Sequence, residues 1–144
     1  PHRDLVNDLA TRWRLSNEES QRLAFLLEHE GTIRSARKTA WPQLQRILIA
    51  DEAAELVAYC AAVAAVVDRH LDDVSFCRSK LALPPEQLNP PPLITGNDLQ
   101  AGGIPPGKAY KHLLKSVRDA QLEGQITTPD EAMEVARKLW ESRT

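Results

Sequence analysis

A chain of 144 residues, 42% hydrophobic and 26% charged, has the mix of an ordinary globular protein, one domain or two small ones, with enough core to need no metal or disulfide staple. A formal charge of −2 excludes a global basic field, and two cysteines, Cys60 and Cys77, exclude a disulfide framework and fit a reduced, cytoplasmic setting. The longest apolar run, Leu56 to Val67, falls short of the ~20 residues of a membrane span, and no apolar signal follows Pro1-His2-Arg3-Asp4, so no membrane partner is expected. The absence of an initiator Met leads us to expect a fragment of a longer protein.

The pattern is helical nearly throughout. Leu5, Leu9 and Trp13, with Val6 alongside, mark an amphipathic helix from about residue 3 to 14. Ser16-Asn17-Glu18-Glu19 is a capping box, and the helix it opens turns Leu23, Leu26 and Leu27 inward and is expected to stop at Gly31. A short basic helix around Ile33–Lys38 follows. Pro42 suits a first helical position, and Leu44, Ile47 and Leu48 form one stripe. Asp51 is expected to cap one long alanine-rich helix running to about Leu71.

Leu83-Pro84-Pro85 and Asn89-Pro90-Pro91-Pro92 cannot be helix interior. The spacing therefore predicts a helical body over 1–77, an extended proline-rich connector over 78–92, and a helical tail over 93–144. In the tail, Thr95-Gly96-Asn97-Asp98 opens a short helix, and Gly102-Gly103-Ile104-Pro105-Pro106-Gly107 makes a tight turn. A helix from about 107 to 123 puts Tyr110, Leu113, Leu114, Val117 and Ala120 on one face and ends at Gly124. Thr128-Pro129-Asp130-Glu131 then caps a last helix that buries Ala132, Val135, Ala136, Leu139 and Trp140. No segment alternates with period 2, so the expected fold is all-α: a helical bundle and a small helical tail with a helix-hairpin-helix-like turn.

Catalytic chemistry is poorly supplied. His2, His29, His70 and His112 are scattered, without HExxH or zinc spacing, and there is no GxSxG, GxGxxG or phosphate-binding GxxxxGK[ST]. His70 with Asp72 and Asp73 could be imagined as a metal or hydrolase cluster, but such residues at a helix end are more often surface residues. The charge distribution says more. Residues 51–100 carry three Lys/Arg against eight Asp/Glu, yet two windows hold no acid at all. Gly31 to Ala50 carries Arg34, Arg37, Lys38 and Arg46, and Leu99 to Arg118 carries Lys108, Lys111, Lys115 and Arg118.

The last four lie on one side of a helix whose free N-terminal amides favour an anion, just after a turn in which Gly103 and Gly107 allow another backbone to approach closely. That is a phosphate-tracking stripe, or else the solvated face of a plain helical hairpin.

Pro92-Leu93-Ile94-Thr95-Gly96-Asn97-Asp98-Leu99, Gly103-Ile104-Pro105-Pro106-Gly107, Ala120-Gln121-Leu122-Glu123-Gly124-Gln125-Ile126 and Thr128-Pro129-Asp130-Glu131-Ala132 resemble the C-terminal tail of the bacterial tRNA nucleotidyltransferase / poly(A) polymerase family, the CCA-adding enzymes and their relatives. The upstream Arg14-Leu15-Ser16-Asn17-Glu18-Glu19 and Leu48-Ile49-Ala50-Asp51-Glu52-Ala53-Ala54 are similar to its helical body. Lys108-Ala109-Tyr110 departs from the Pro and further Gly that the family often has after the turn. In that family a head with a GS motif and a DxD carboxylate pair holds Mg2+ and adds nucleotides, while body and tail hold the tRNA. No Asp-x-Asp occurs here.

The resemblance thus implies an RNA-binding portion with no catalytic residue and no cofactor of its own. Its expected partners are tRNA or other structured RNA and the head of the same polypeptide. The candidate contacts are Gly103, Gly107, Lys108, Lys111, Lys115, Arg118, Arg34, Arg37 and Lys38. The competing expectation is a helical protein-interaction module whose basic faces meet an acidic partner.

Overall fold

The computed structural model describes residues 2–143; Pro1, Thr144 and the side chain of His2 lie outside it. The protein is all-α, and among the described residues there is no strand and no helix long and apolar enough to cross a membrane. The chain divides between Asn89 and Pro90 into two compact units.

The first unit holds α1 (His2–Trp13), α2 (Asn17–Arg34), a 3-10 turn (Ala36–Lys38), α3 (Trp41–Leu48), α4 (Ala53–Val67), α5 (Leu71–Leu81) and the single turn α6 (Pro85–Leu88). Ser16 starts α2 as its sequence predicts. Its backbone N–H donates to Glu19 Oε2 at 2.8 Å, and the Glu19 amide donates back to Ser16 Oγ. The expected stop at Gly31 does not occur, and α2 continues to Arg34. Ile33 explains this. It is fully buried in the core, and burying such a side chain is worth about 1.5–3 kcal/mol, more than the ~1 kcal/mol a helical glycine costs.

The expected single helix from 51 to 71 is two helices. Helix α4 begins at Ala53 without a side-chain cap, so Asp51 does not cap it. The chain breaks at Asp68 and His70, both in left-handed backbone (φ 49° and 62°). Each such residue costs roughly 1–2 kcal/mol. The break lets α5 fold back on α4, so that Val74 and Cys77 join Leu56, Cys60 and Ala64 in one core, which offsets that cost. Burial pushes both thiols up to about 11, so at neutral pH they stay protonated within the apolar cluster.

The segment 78–92 is likewise not an extended connector throughout. Its first residues finish α5, and Pro85 occupies the first position of α6, where a missing N–H costs nothing. The buried amide of Gln45 on α3 donates to the Leu88 carbonyl at 3.1 Å and to Asn89 Oδ1 at 3.3 Å. The proline-rich stretch up to Asn89 is therefore docked on the first unit.

The second unit consists of α7 (Gly96–Ala101), α8 (Ala109–Leu122) and α9 (Pro129–Glu141) around Ile94, Leu99, Ile104, Leu113, Val117, Ile126, Ala132 and Ala136. Val135, Leu139 and Trp140 pack against this core half-buried. Thr95 donates from both N–H and Oγ1 to Asp98 at 2.7 Å, and Thr128 and Glu131 form the second capping box. Gly124 (φ 72°) turns the chain out of α8, and Gln121 Nε2 holds the Pro91 carbonyl at 2.8 Å.

Candidate nucleic-acid interface

The turn between α7 and α8 is fixed by its own unit. At Gly102 a Cβ would run into the Met133 side chain on α9, so glycine lets α7 end against α9. The close approach at Gly102 is thus made within the unit. Gly103 follows in left-handed backbone (φ 88°), which reverses the chain at little cost for a residue without Cβ. Ile104 then drops into the core. Its N–H donates to the Leu99 carbonyl at 3.0 Å, and its carbonyl accepts from Tyr110 Oη at 2.6 Å. The tyrosine clamps the start of α8 onto the turn. Gly103 and Gly107 are exposed, with open space where a Cβ would stand, so a large ligand can approach the backbone there.

The cations of α8 are not equivalent. Lys108 and Lys111 are exposed and have no ion-pair partner among the described residues. Lys115 Nζ sits 3.2 Å from the Asp119 carboxylate one turn on. Arg118 is half-buried and donates to Gln121 Oε1 at 2.8 Å. The open positive charge is therefore concentrated in the first turn of α8.

That is the wrong end for helix stability. The N-terminus already carries partial positive charge, and a cation there costs about 0.3–1 kcal/mol. Glu19, Asp98 and Glu131 hold the third positions of α2, α7 and α9, and hydrogen bonds from Ser16, Thr95, Thr127 and Thr128 keep all three carboxyls below their ordinary range. In α8 the third position is Lys111, and its first turn has neither an acid nor a side-chain cap. An anion placed there would meet the positive end of the helix dipole and two ammonium groups together.

The basic residues of the first unit are placed differently. Arg34 pairs with Glu30 at 3.0 Å. Arg37 reaches Asp72 at 3.5 Å and Asp73 at 3.4 Å, and its backbone N–H donates to Asp73 Oδ1 at 3.0 Å. Of the three, only Lys38 is exposed without an ion-pair partner among the described residues. Arg34, Arg37 and Lys38 belong to the first unit and Lys108 to Arg118 to the second.

A count of acids along the chain misses this pairing, because Asp72 and Asp73 reach Arg37 across 35 and 36 residues. It also places His70, Asp72 and Asp73 in a structural role. His70 Nδ1 stands 4.0 Å from Asp73 Oδ2, but both aspartates are engaged by Arg37. Among the described residues no group of three or more His, Cys, Asp or Glu could hold a metal ion.

No family model and no solved structure matches the chain. The A-adding tRNA nucleotidyltransferase of Geobacter sulfurreducens is 43% identical to it over 49 residues, which is 34% of this chain and 6% of that protein. A third of this chain is therefore similar to a small part of a tRNA nucleotidyltransferase.

Proposed function

We propose that this chain is a noncatalytic, tRNA-holding portion of a nucleotidyltransferase that works on tRNA 3′ ends in the cytoplasm. The short, 43% identical match carries this reading. The unpaired Lys108 and Lys111 at the amide-rich start of α8 support it, since they offer a backbone phosphate charge and hydrogen bonds at one place. Gly103 and Gly107 leave room for the sugar-phosphate chain to come close. Lys115 and Arg118 continue along the same helix as weaker contacts, because each already has a partner. Contacts of this kind recognise an A-form helix by shape and backbone, without reading bases. The addition of nucleotides belongs to a head in the same polypeptide, where Mg2+ would be held.

Competition between tRNA and a DNA duplex of equal length, at matched salt, tests the reading. We expect tRNA to win by at least tenfold. Equal affinity would refute recognition of structured RNA, and tighter binding to an acidic polypeptide than to tRNA would establish a protein-interaction module instead.

A further inference from the structure

The first unit contains a cavity of about 440 Å³ between the end of α2 and the turn that joins α4 to α5. Cys60 and Ala64 form its floor, Val63 and Val67 one wall, and Arg34, Arg69 and His70 its rim. The size is that of small-molecule pockets generally, which combine an apolar lining with a few charged groups. The floor carries no charge, because the Cys60 thiol is held protonated by burial. Val67 keeps half of its surface exposed, so the wall offers apolar area that nothing in the unit covers.

The rim is cationic. Arg69 is exposed and has no ion-pair partner among the described residues. Arg34 has one acid, Glu30, one turn back on its own helix. His70 is the residue before α5, its backbone held left-handed at φ 62°. Arg34 is thus shared with Glu30 and His70 stands 4.0 Å from Asp73, so Arg69 is the cation of this rim without an ion-pair partner among the described residues. Two guanidinium groups line the same cavity, one of them without an acid, and such planar forks suit an oxyanion such as a phosphate monoester better than a neutral ligand.

We propose that this cavity binds an organic phosphate monoester of mononucleotide size, its phosphate between Arg69 and Arg34 and its body against Val63 and Val67. The phosphate has two possible sources, a free mononucleotide or the 5′-phosphorylated end of a nucleic-acid strand. The site lies wholly within the first unit and does not depend on the α8 surface.

The test is a titration of the full chain with AMP, followed by backbone amide NMR. Shifts are expected at Val63, Val67, Arg69 and His70, with inorganic phosphate binding at least tenfold more weakly. Arg69→Gln should weaken AMP binding at least tenfold, whereas Lys38→Gln, an equal loss of charge outside the cavity, should change it less than twofold. A parallel titration with a short 5′-phosphorylated oligonucleotide separates the sources. Binding of both ligands assigns the site to a strand end, and binding of AMP alone assigns it to a free mononucleotide. Shifts confined to other residues, equal affinity for inorganic phosphate, or equal losses in the two variants would overturn the proposal.

Discussion

Replacing Lys111 by Glu separates what α8 does for folding from what it does for binding. Lys111 occupies the third position of a helix with no acid in its first turn, whereas the corresponding positions of α2, α7 and α9 are carboxylates that accept from the cap. A cation near a helix N-terminus costs about 0.3–1 kcal/mol and an anion gains about as much, so the exchange should add about 1 kcal/mol of stability. For a small domain that is an upward shift of at least ~4 °C in Tm. The same change places a negative charge where a phosphate is expected. It should weaken tRNA binding by tenfold or more and lower the salt dependence by about one phosphate contact. Urea denaturation followed by circular dichroism reads the first effect, and fluorescence anisotropy with labelled tRNA reads the second. A variant that is more stable and binds tRNA as tightly as the parent would remove the first turn of α8 from the interface. One that is less stable would refute the dipole argument.

Other consequences follow from the packing. Gly31→Ala should raise stability by about 0.5–1 kcal/mol, because Gly31 lies inside α2 with nothing near its would-be Cβ; a lowered urea midpoint would contradict a helical Gly31. Gln45→Met keeps the volume but removes the donor to the Leu88 carbonyl, and should cost about 1–2 kcal/mol; an unchanged midpoint would show that α6 is not held by this bond. Asp98 and Glu131 have folded pKa values below their ordinary ones, so the stability they contribute is full above about pH 4–4.5 and is lost as pH falls through the lower folded values. An acid titration of Glu131→Gln should therefore show a shallower loss than the parent, and identical curves would refute the role of that cap.

The helical class and most helix starts were legible in the sequence, because caps are local. Ser16 with Glu19, Thr95 with Asp98 and Thr128 with Glu131 each act within four residues, and the structure forms all three. The misread features depend on distant residues. Gly31 stays helical because Ile33 finds a core, and the break at Asp68 and His70 is repaid by α5 packing on α4. The fold-back of the proline-rich segment needs Gln45, more than forty residues away. The same limit applies to the candidate interface. The acid-free windows mark where the cations are, but they could not reveal that Arg37 is neutralised by Asp72 and Asp73 while Lys108 and Lys111 stay open. Lys111, four positions past the turn that ends at Gly107 and at the third position of a helix with no acid beside it, was the readable sign.

The salt dependence of tRNA affinity bears most directly on the account. With Lys108 and Lys111 open and Lys115 and Arg118 partly engaged, the logarithm of the binding constant should fall with the logarithm of salt concentration with a slope of about −2 to −3, and Lys108→Gln with Lys111→Gln should remove most of it. A slope near zero, or one that the double variant leaves intact, would show that the start of α8 does not hold RNA.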